Sequence, residues 1–183
     1  FPAVQPSFTQ ATGGNDKDLM RDTGASPQDQ SYAHLFTNTG PEAQCTGGTI
    51  SVKKTGTPDT AFLIRIVFPI AALTGLPNAY YPSISGSEAI GRTTIAEADI
   101  GTGYAAEVFT FGSAVRIPAN CAFWVVVSKT NQTASGVNYY TVETNSASVP
   151  TYWTTLSGGS GPARWVSGQD SSLKITLTMS SVA

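Results

Sequence analysis

The chain has 183 residues, enough for one domain with a buried core, since domains cluster near ~100–150 residues and all-β sandwiches often run longer. Ten basic residues stand against twelve acidic ones and only 12% of the chain is charged, so no basic field exists to attract a nucleic acid or an anionic membrane surface. No apolar run approaches the ~20 residues that span a bilayer, which sets membrane insertion aside.

Gly, Ser, Thr, Pro and Asn are abundant while Leu, Glu, Lys and Arg are scarce, a balance that favours strands joined by turns. Low charge with much Ser and Thr is a composition shared by exported and virion-exposed β proteins. The chain opens on Phe1 with neither a Met nor an apolar signal segment, as a processed product or an excised piece does.

Residues 1–30 show no sustained period and carry Pro2, Pro6, Pro27 and a Gly13-Gly14 pair; they read as an extended N-terminal arm or linker. Residues 31–183 form the second unit, a β-sandwich domain. Its first strands are 31–37, 49–54 and 61–68, separated by turn-rich segments. In the last of these Phe62, Ile64, Ile66 and Phe68 point one way and Leu63, Arg65 and Val67 the other. Both faces are largely apolar, which predicts a central strand.

Residues 69–94 are a long Gly-, Pro-, Ser- and Tyr-rich loop of the kind that carries function. Strands follow over 103–112 and 115–117. The turn Pro118–Asn120 then feeds an apolar strand with Cys121, Phe123, Val125 and Val127 on one face and Ala122, Trp124, Val126 and Ser128 on the other, a mid-sheet pattern in which Trp124 is packing rather than chemistry. A strand over 137–144 and a loop bearing "TYWTT" and "SGGSGP" precede the closing strand. There Leu173, Ile175, Leu177 and Met179 alternate with Lys174, Thr176, Thr178 and Ser180, so one face is wet. About eight to ten strands without a sustained helix mean a sandwich or a barrel of jelly-roll type.

Cys45 and Cys121 can close a loop of about 76 residues in an oxidising compartment, a link worth about 4–5 kcal/mol; the other reading is two separate buried thiols. The single histidine, His34, lies inside a strand and finds no nucleophile spacing. Glu97, Asp99, Glu107 and Glu143 are the carboxylates from which a glycosidase pair would be drawn, and most of them read as solvated. "NDKD" at 15–18 and "EADIGTG" at 97–103 supply oxygens that a structural calcium would accept, without the spacing of an EF-hand; no other cofactor is expected. Asn131-Gln132-Thr133 fits a glycosylation acceptor. Aromatics in loops or at strand ends, Tyr80, Tyr81, Tyr139, Tyr140, Tyr152, Trp153 and Trp165, are candidate glycan contacts because a flat ring stacks under a sugar. Tyr152-Trp153, beside a Gly/Ser loop, leads this set.

"YAHLFT", "GGTISVKKTGTPDTAFLIRIVF", "AAEVFTFGSAVRIPANCAFWVVVS", "YYTVE" and "ARWVSGQDSSLKITL" together resemble a family of bacterial and phage β-sandwich domains found in surface-anchored and virion structural proteins, themselves similar to carbohydrate-binding modules. The motifs that carry this are Ile50–Gly56, Phe62–Phe68, Val115–Asn120, Phe123-Trp124 and Trp165 ahead of Leu173. Two features depart from the pattern: Ala-Asn-Cys replaces a Gly-rich turn, and the 69–94 loop is long. The resemblance implies an antiparallel β-sandwich of jelly-roll type and a non-enzymatic virion-surface protein, of decoration, tail or fibre type, acting in assembly or host attachment. Its partners would be other virion or surface proteins, a second copy of itself, or a glycan. The alternative is a carbohydrate-binding or adhesion module of a bacterial surface or secreted protein; a sandwich-fold hydrolase or lyase ranks below both.

Overall fold

A computed structural model describes residues 16–19, 21, 28–70, 81–82, 89–130, 134–145, 153–158, 164–168 and 172–182. The elements in chain order are β1 (Lys17–Leu19), β2 (Gln28–Asn38), β3 (Ala43–Thr55), β4 (Phe62–Val67), β5 (Pro69–Ile70), β6 (Tyr81–Pro82), β7 (Ala89–Ile95), one 3-10 turn (Glu97–Asp99), β8 (Ala105–Ile117), β9 (Cys121–Lys129), β10 (Tyr139–Val142), β11 (Thr144–Asn145), β12 (Trp153–Gly158), β13 (Arg164–Gly168), β14 (Ser172–Leu173) and β15 (Ile175–Ser181). The architecture is all-β, with two antiparallel sheets facing each other across one core. None of the described helices is long and apolar enough to cross a membrane.

The larger sheet runs β13-β12-β2-β9-β4-β7. Strands β4 and β9 lie inside it, where the sequence places them, and both of their faces are covered. Ile64, Ile66, Phe123 and Val125 enter the main core, while Val67, Trp124 and Val126 join Ala33 in a smaller cluster on the reverse face. β-branched and aromatic side chains suit such a twice-buried strand because they pack well on a pleated surface.

The second sheet is organised on β3. One edge of β3 pairs with β8, from Ala43↔Ile117 to Val52↔Ala105. The other edge pairs first with β15, from Ala43↔Ser181 to Ile50↔Ile175, and then with β10, from Val52↔Val142 to Thr55↔Tyr139. Ile50 and Val52 face the core and Thr49, Ser51 and Lys53 face outward, as a period of two requires.

The long β3 starts six residues before the sequence suggests, and the 103–112 and 115–117 pieces form one strand, β8. Both differences trace to register shifts in the β3–β8 pair, between Cys45 and Gly47, and in the β15–β3 pair, between Thr178 and Met179. Gly47 has φ +156°, and a Cβ there would lie 2.1 Å from the Phe109 carbonyl oxygen; a Cβ on Gly48 would lie 2.1 Å from that of Thr176. These glycines read as turn residues, yet they are where three strands crowd together.

Part of the stretch read as an arm is built into the sheets. Lys17–Leu19 pairs with β10, Leu19 is fully buried, and β2 already begins at Gln28; residues 1–15, 20 and 22–27 lie outside the described residues. The two crossovers at one end of the sandwich are tied by Asn38, whose Nδ2 donates to the carbonyls of Pro41 at 2.8 Å and Pro118 at 2.9 Å. In the second crossover Asn120 adopts φ +51°, filling the left-handed position for which a glycine would be the usual residue.

Cys45 lies in the core on β3 and Cys121 at the start of β9, and both are free thiols; the cross-link weighed from the sequence is not formed. Burial pushes the Cys45 thiol up to about 11, so it stays protonated and behaves as a small apolar group.

Gly48→Ala should destabilise the fold by roughly 2 kcal/mol or more, because the new methyl meets backbone that cannot swing away. Gly112→Ala, whose Cβ would meet nothing within 4 Å, should be neutral within ~0.5 kcal/mol. Urea denaturation of the pair checks both.

Candidate functional site

Where β3 exchanges β15 for β10, three segments close a ring of backbone hydrogen bonds. Ser51 N–H donates to the Lys174 carbonyl, Lys174 N–H to that of Glu143, and Glu143 N–H to that of Ser51, each at 3.0 Å. Because the three residues are held backbone to backbone, their side chains emerge together on the outer face of the sheet. The Ser51 hydroxyl donates to Glu143 Oε2, and Lys174 Nζ donates to the same oxygen at 3.1 Å.

These groups form the floor of a half-open cavity of ≈ 460 Å³, lined by Thr49, Ser51, Tyr104, Ala105, Ala106, Glu143, Lys174 and Thr176. Thr49 and Thr176 are register partners and line the same cavity. Ala105 and Ala106 leave the β8 side low. Glu143 keeps 16% of its side chain exposed and Lys174 40%, so the pair is partly wet and its net stabilisation is modest. Its value lies in presenting a fixed acceptor, a fixed cation and several hydroxyls toward solvent.

Tyr104 forms one wall. Lys53 Nζ sits 4.2 Å from its ring centroid and 3.7 Å from Asp16. The Tyr104 hydroxyl is buried without a well-formed hydrogen bond. Burial first, then the neighbouring Asp16 carboxylate, push its pKa upward, so it remains a neutral donor aimed at a carboxylate-rich corner. Beyond it the Thr141 hydroxyl donates to Asp18 at 2.8 Å, Arg21 pairs with Asp18 at 2.8 Å, and the Arg21 guanidinium lies 5.1 Å from the Tyr139 ring centroid.

Of the residues expected to contact a glycan, Tyr139 is on this sheet, on the same strand face as Thr141 and Glu143. Tyr140 points inward instead; it is fully buried and its hydroxyl donates to the Thr60 carbonyl at 2.6 Å. Trp153 and Trp165 belong to the other sheet, opposite His34 and Leu156 in register. Tyr81 lies in the short β5–β6 pair. Tyr80 and Tyr152 lie outside the described residues, as do Asn131 to Thr133. Of the expected aromatics that are described, Tyr139 is thus on the sheet of the cavity, and Trp153 and Trp165 are on adjacent strands of the other sheet.

The carboxylates are also dispersed. Glu97 pairs with Lys54, and Asp16 and Asp18 pair with Lys53 and Arg21. Among the described residues Glu143 is the one carboxylate lining the cavity, and no three His, Cys, Asp or Glu side chains are placed to hold a metal ion.

Sequence reasoning named Glu143 but missed Ser51, Lys174 and Tyr104. Lys174 was visible as the first member of the wet face of 173–180; nothing local links it to Ser51 or to Glu143. Compared with protein-family models, curated sequences and solved structures, the chain matches none.

His34 is fully buried and belongs to the structure rather than to this site. Its Nδ1 accepts the Leu173 N–H at 3.2 Å, and its ring stacks on Phe36 with centroids 4.6 Å apart. Burial pushes its pKa down to about 3, against ~6.5 in an unfolded chain. The unfolded state therefore takes up a proton below pH ~6.5 that the folded state refuses until about pH 3. Stability should fall as pH drops through this window, by up to ~1.4 kcal/mol per unit. Chemical denaturation at pH 5.0 to 6.5, above the ordinary carboxylate range, should show this slope in the natural chain and lose it in His34→Gln.

Proposed function

We propose that this chain is a non-enzymatic recognition module of jelly-roll type, borne on the outside of a virion or cell, and that it binds a glycan in the cavity over Ser51, Glu143 and Lys174. The observation that carries the reading is the convergence on one rigid sheet face of a carboxylate, an ammonium group and several hydroxyls around an open cavity. A sugar offers alternating donors and acceptors at close spacing and little charge, which such a set can match without a metal or a deep pocket. Among the described residues the cavity has one carboxylate, already engaged by a hydroxyl and an ammonium group; this favours binding over glycoside hydrolysis, which needs two carboxyl groups facing one bond.

Support for the jelly-roll assignment comes from how successive strands are dealt out. β2, β3 and β4 alternate between the sheets, and so do β7, β8 and β9, leaving β2-β9-β4-β7 side by side in one sheet and β3 beside β8 in the other. Interleaving of this kind, rather than simple hairpins, is what a Greek-key jelly roll requires. A virion setting rests on composition and on the strand motifs, and host attachment is the role that a solvent-facing glycan site would serve.

A glycan array, followed by titration of the best ligand, tests the proposal. Lys174→Ala and Glu143→Ala should each weaken binding tenfold or more, the loss expected for a charge-assisted hydrogen bond, while Tyr152→Ala/Trp153→Ala leaves it unchanged. Binding lost only in the aromatic double variant would move the site to the other sheet. No binding by a folded, oligomeric sample would make the role one of particle assembly, and release of reducing ends from polysaccharides would make the protein a hydrolase.

A further inference from the structure

The reverse face of the six-stranded sheet lies on the opposite side of the sandwich from the Glu143 cavity. Among the described residues it carries three buried donors with no hydrogen-bond partner: Nε of Arg65 on β4, and Nε1 of Trp124 and Oγ of Ser128 on β9. Arg65 is 7% exposed, Trp124 2% and Ser128 not at all. A guanidinium and an indole N–H can only donate, and a serine hydroxyl is free to turn and do so. No described residue accepts from any of the three.

Register puts the three together. Arg65 pairs with Val126, Leu63 with Ser128 and Val67 with Trp124. Ser128 and Trp124 therefore sit two residues to either side of the position facing Arg65, on the same face of the sheet. Such diagonal neighbours are about 7–8 Å apart at the backbone, within reach of a long side chain.

The charge pattern points the same way. On its other flank Arg65 faces Arg92 of β7, which is exposed on the edge strand. Burial and then this like charge hold the Arg65 pKa below its ordinary value. The six strands contain Arg65, Arg92, Lys129 and Arg164 but only one carboxylate, Asp29. Lys129 is matched by Asp59. Asp29 lies two strands over and four residues along from Arg65 by register, roughly 16 Å away. A buried cation opposite a second cation, with no acid in reach among the described residues, is among the costlier arrangements a fold can hold unless something else compensates it.

We propose that this face binds an oxyanion, a carboxylate, phosphate or sulfate group, held by the Arg65 guanidinium together with the Trp124 indole N–H and the Ser128 hydroxyl and entering from the β7 edge past Arg92. A guanidinium fork matches two oxygens of such a group at once, and a dry surround strengthens each bond. The site does not depend on the glycan reading of the opposite face.

Thermal unfolding of the natural chain, in chloride against inorganic phosphate, sulfate or glucuronate at matched ionic strength, tests this. One of the three anions should raise Tm with the logarithmic concentration dependence of a bound ligand, by roughly 5–10 °C at about a hundred times its Kd, and the anion with the lowest Kd identifies the source. Arg65→Met, which keeps the bulk and removes the charge, should unfold at or above the natural chain's Tm in chloride and show only the shallow, linear slope of an excluded salt. Equal slopes in the two proteins overturn the proposal. In the natural chain the Trp124 indole N–H resonance, assigned with Trp124→Phe, should shift saturably with the same anion and not with chloride; a resonance unmoved by all three overturns the site even if Arg65→Met fails to fold.

Discussion

Strand β3 hydrogen-bonds to three other strands, and the five-stranded sheet depends on its doing so. One edge belongs to β8 throughout, while the other passes from β15 to β10 within two residues. A strand has only one row of donors and acceptors on each edge, so two partners can share it only by succeeding one another. Glycines at 47 and 48 allow the backbones of β8 and β15 to close in, and the ring of bonds at Ser51, Glu143 and Lys174 leaves no backbone group unpaired at the junction.

The candidate site is a by-product of that junction. Three segments that must meet backbone to backbone also bring three polar side chains to one point on the solvent side. The positions are set by the ladder rather than by a flexible loop, so the carboxylate and ammonium groups are held without help from a ligand. The two outer faces of the sandwich then differ in their electrostatics. Over β3 each charge near the cavity has an opposite partner, Glu143 with Lys174 and Asp16 with Lys53. Over β4 and β9 the buried charge has a like neighbour instead, an arrangement that makes sense for a face completed by a negatively charged group.

Much of the fold was legible because strand burial follows a period of two. Alternation in 62–68 and 121–128 marked central strands, and that in 173–180 a strand with one wet face; the structure places all three so. What escaped was decided by crowding. The Gly47-Gly48 pair reads as a turn since glycine is the usual turn residue, yet here it serves close strand approach. Gly112 to Ala114 read as a break in what is one strand, because a register shift lets the chain pass through residues of weak β preference. Lys17–Leu19 is too short to show a period, and only the pocket for Leu19 reveals that it docks.

Composition and alternation alone determined the class of the protein, its central strands and the packing role of Trp124, because these are local consequences of which side chains tolerate burial on a pleated ribbon. They could not determine partners. Ser51 and Glu143 are 92 residues apart and Glu143 and Lys174 are 31 apart, and no local pattern records that three such positions will share one ring of hydrogen bonds. For the same reason only register could place Tyr139 on one sheet and Trp153 and Trp165 on adjacent strands of the other, while Arg65, one polar residue in an apolar strand, acquired its meaning only once register set Arg92, Trp124 and Ser128 around it. Tertiary structure decided the sites because a site is made of contacts across strands, whereas the strand itself is made of contacts along the chain.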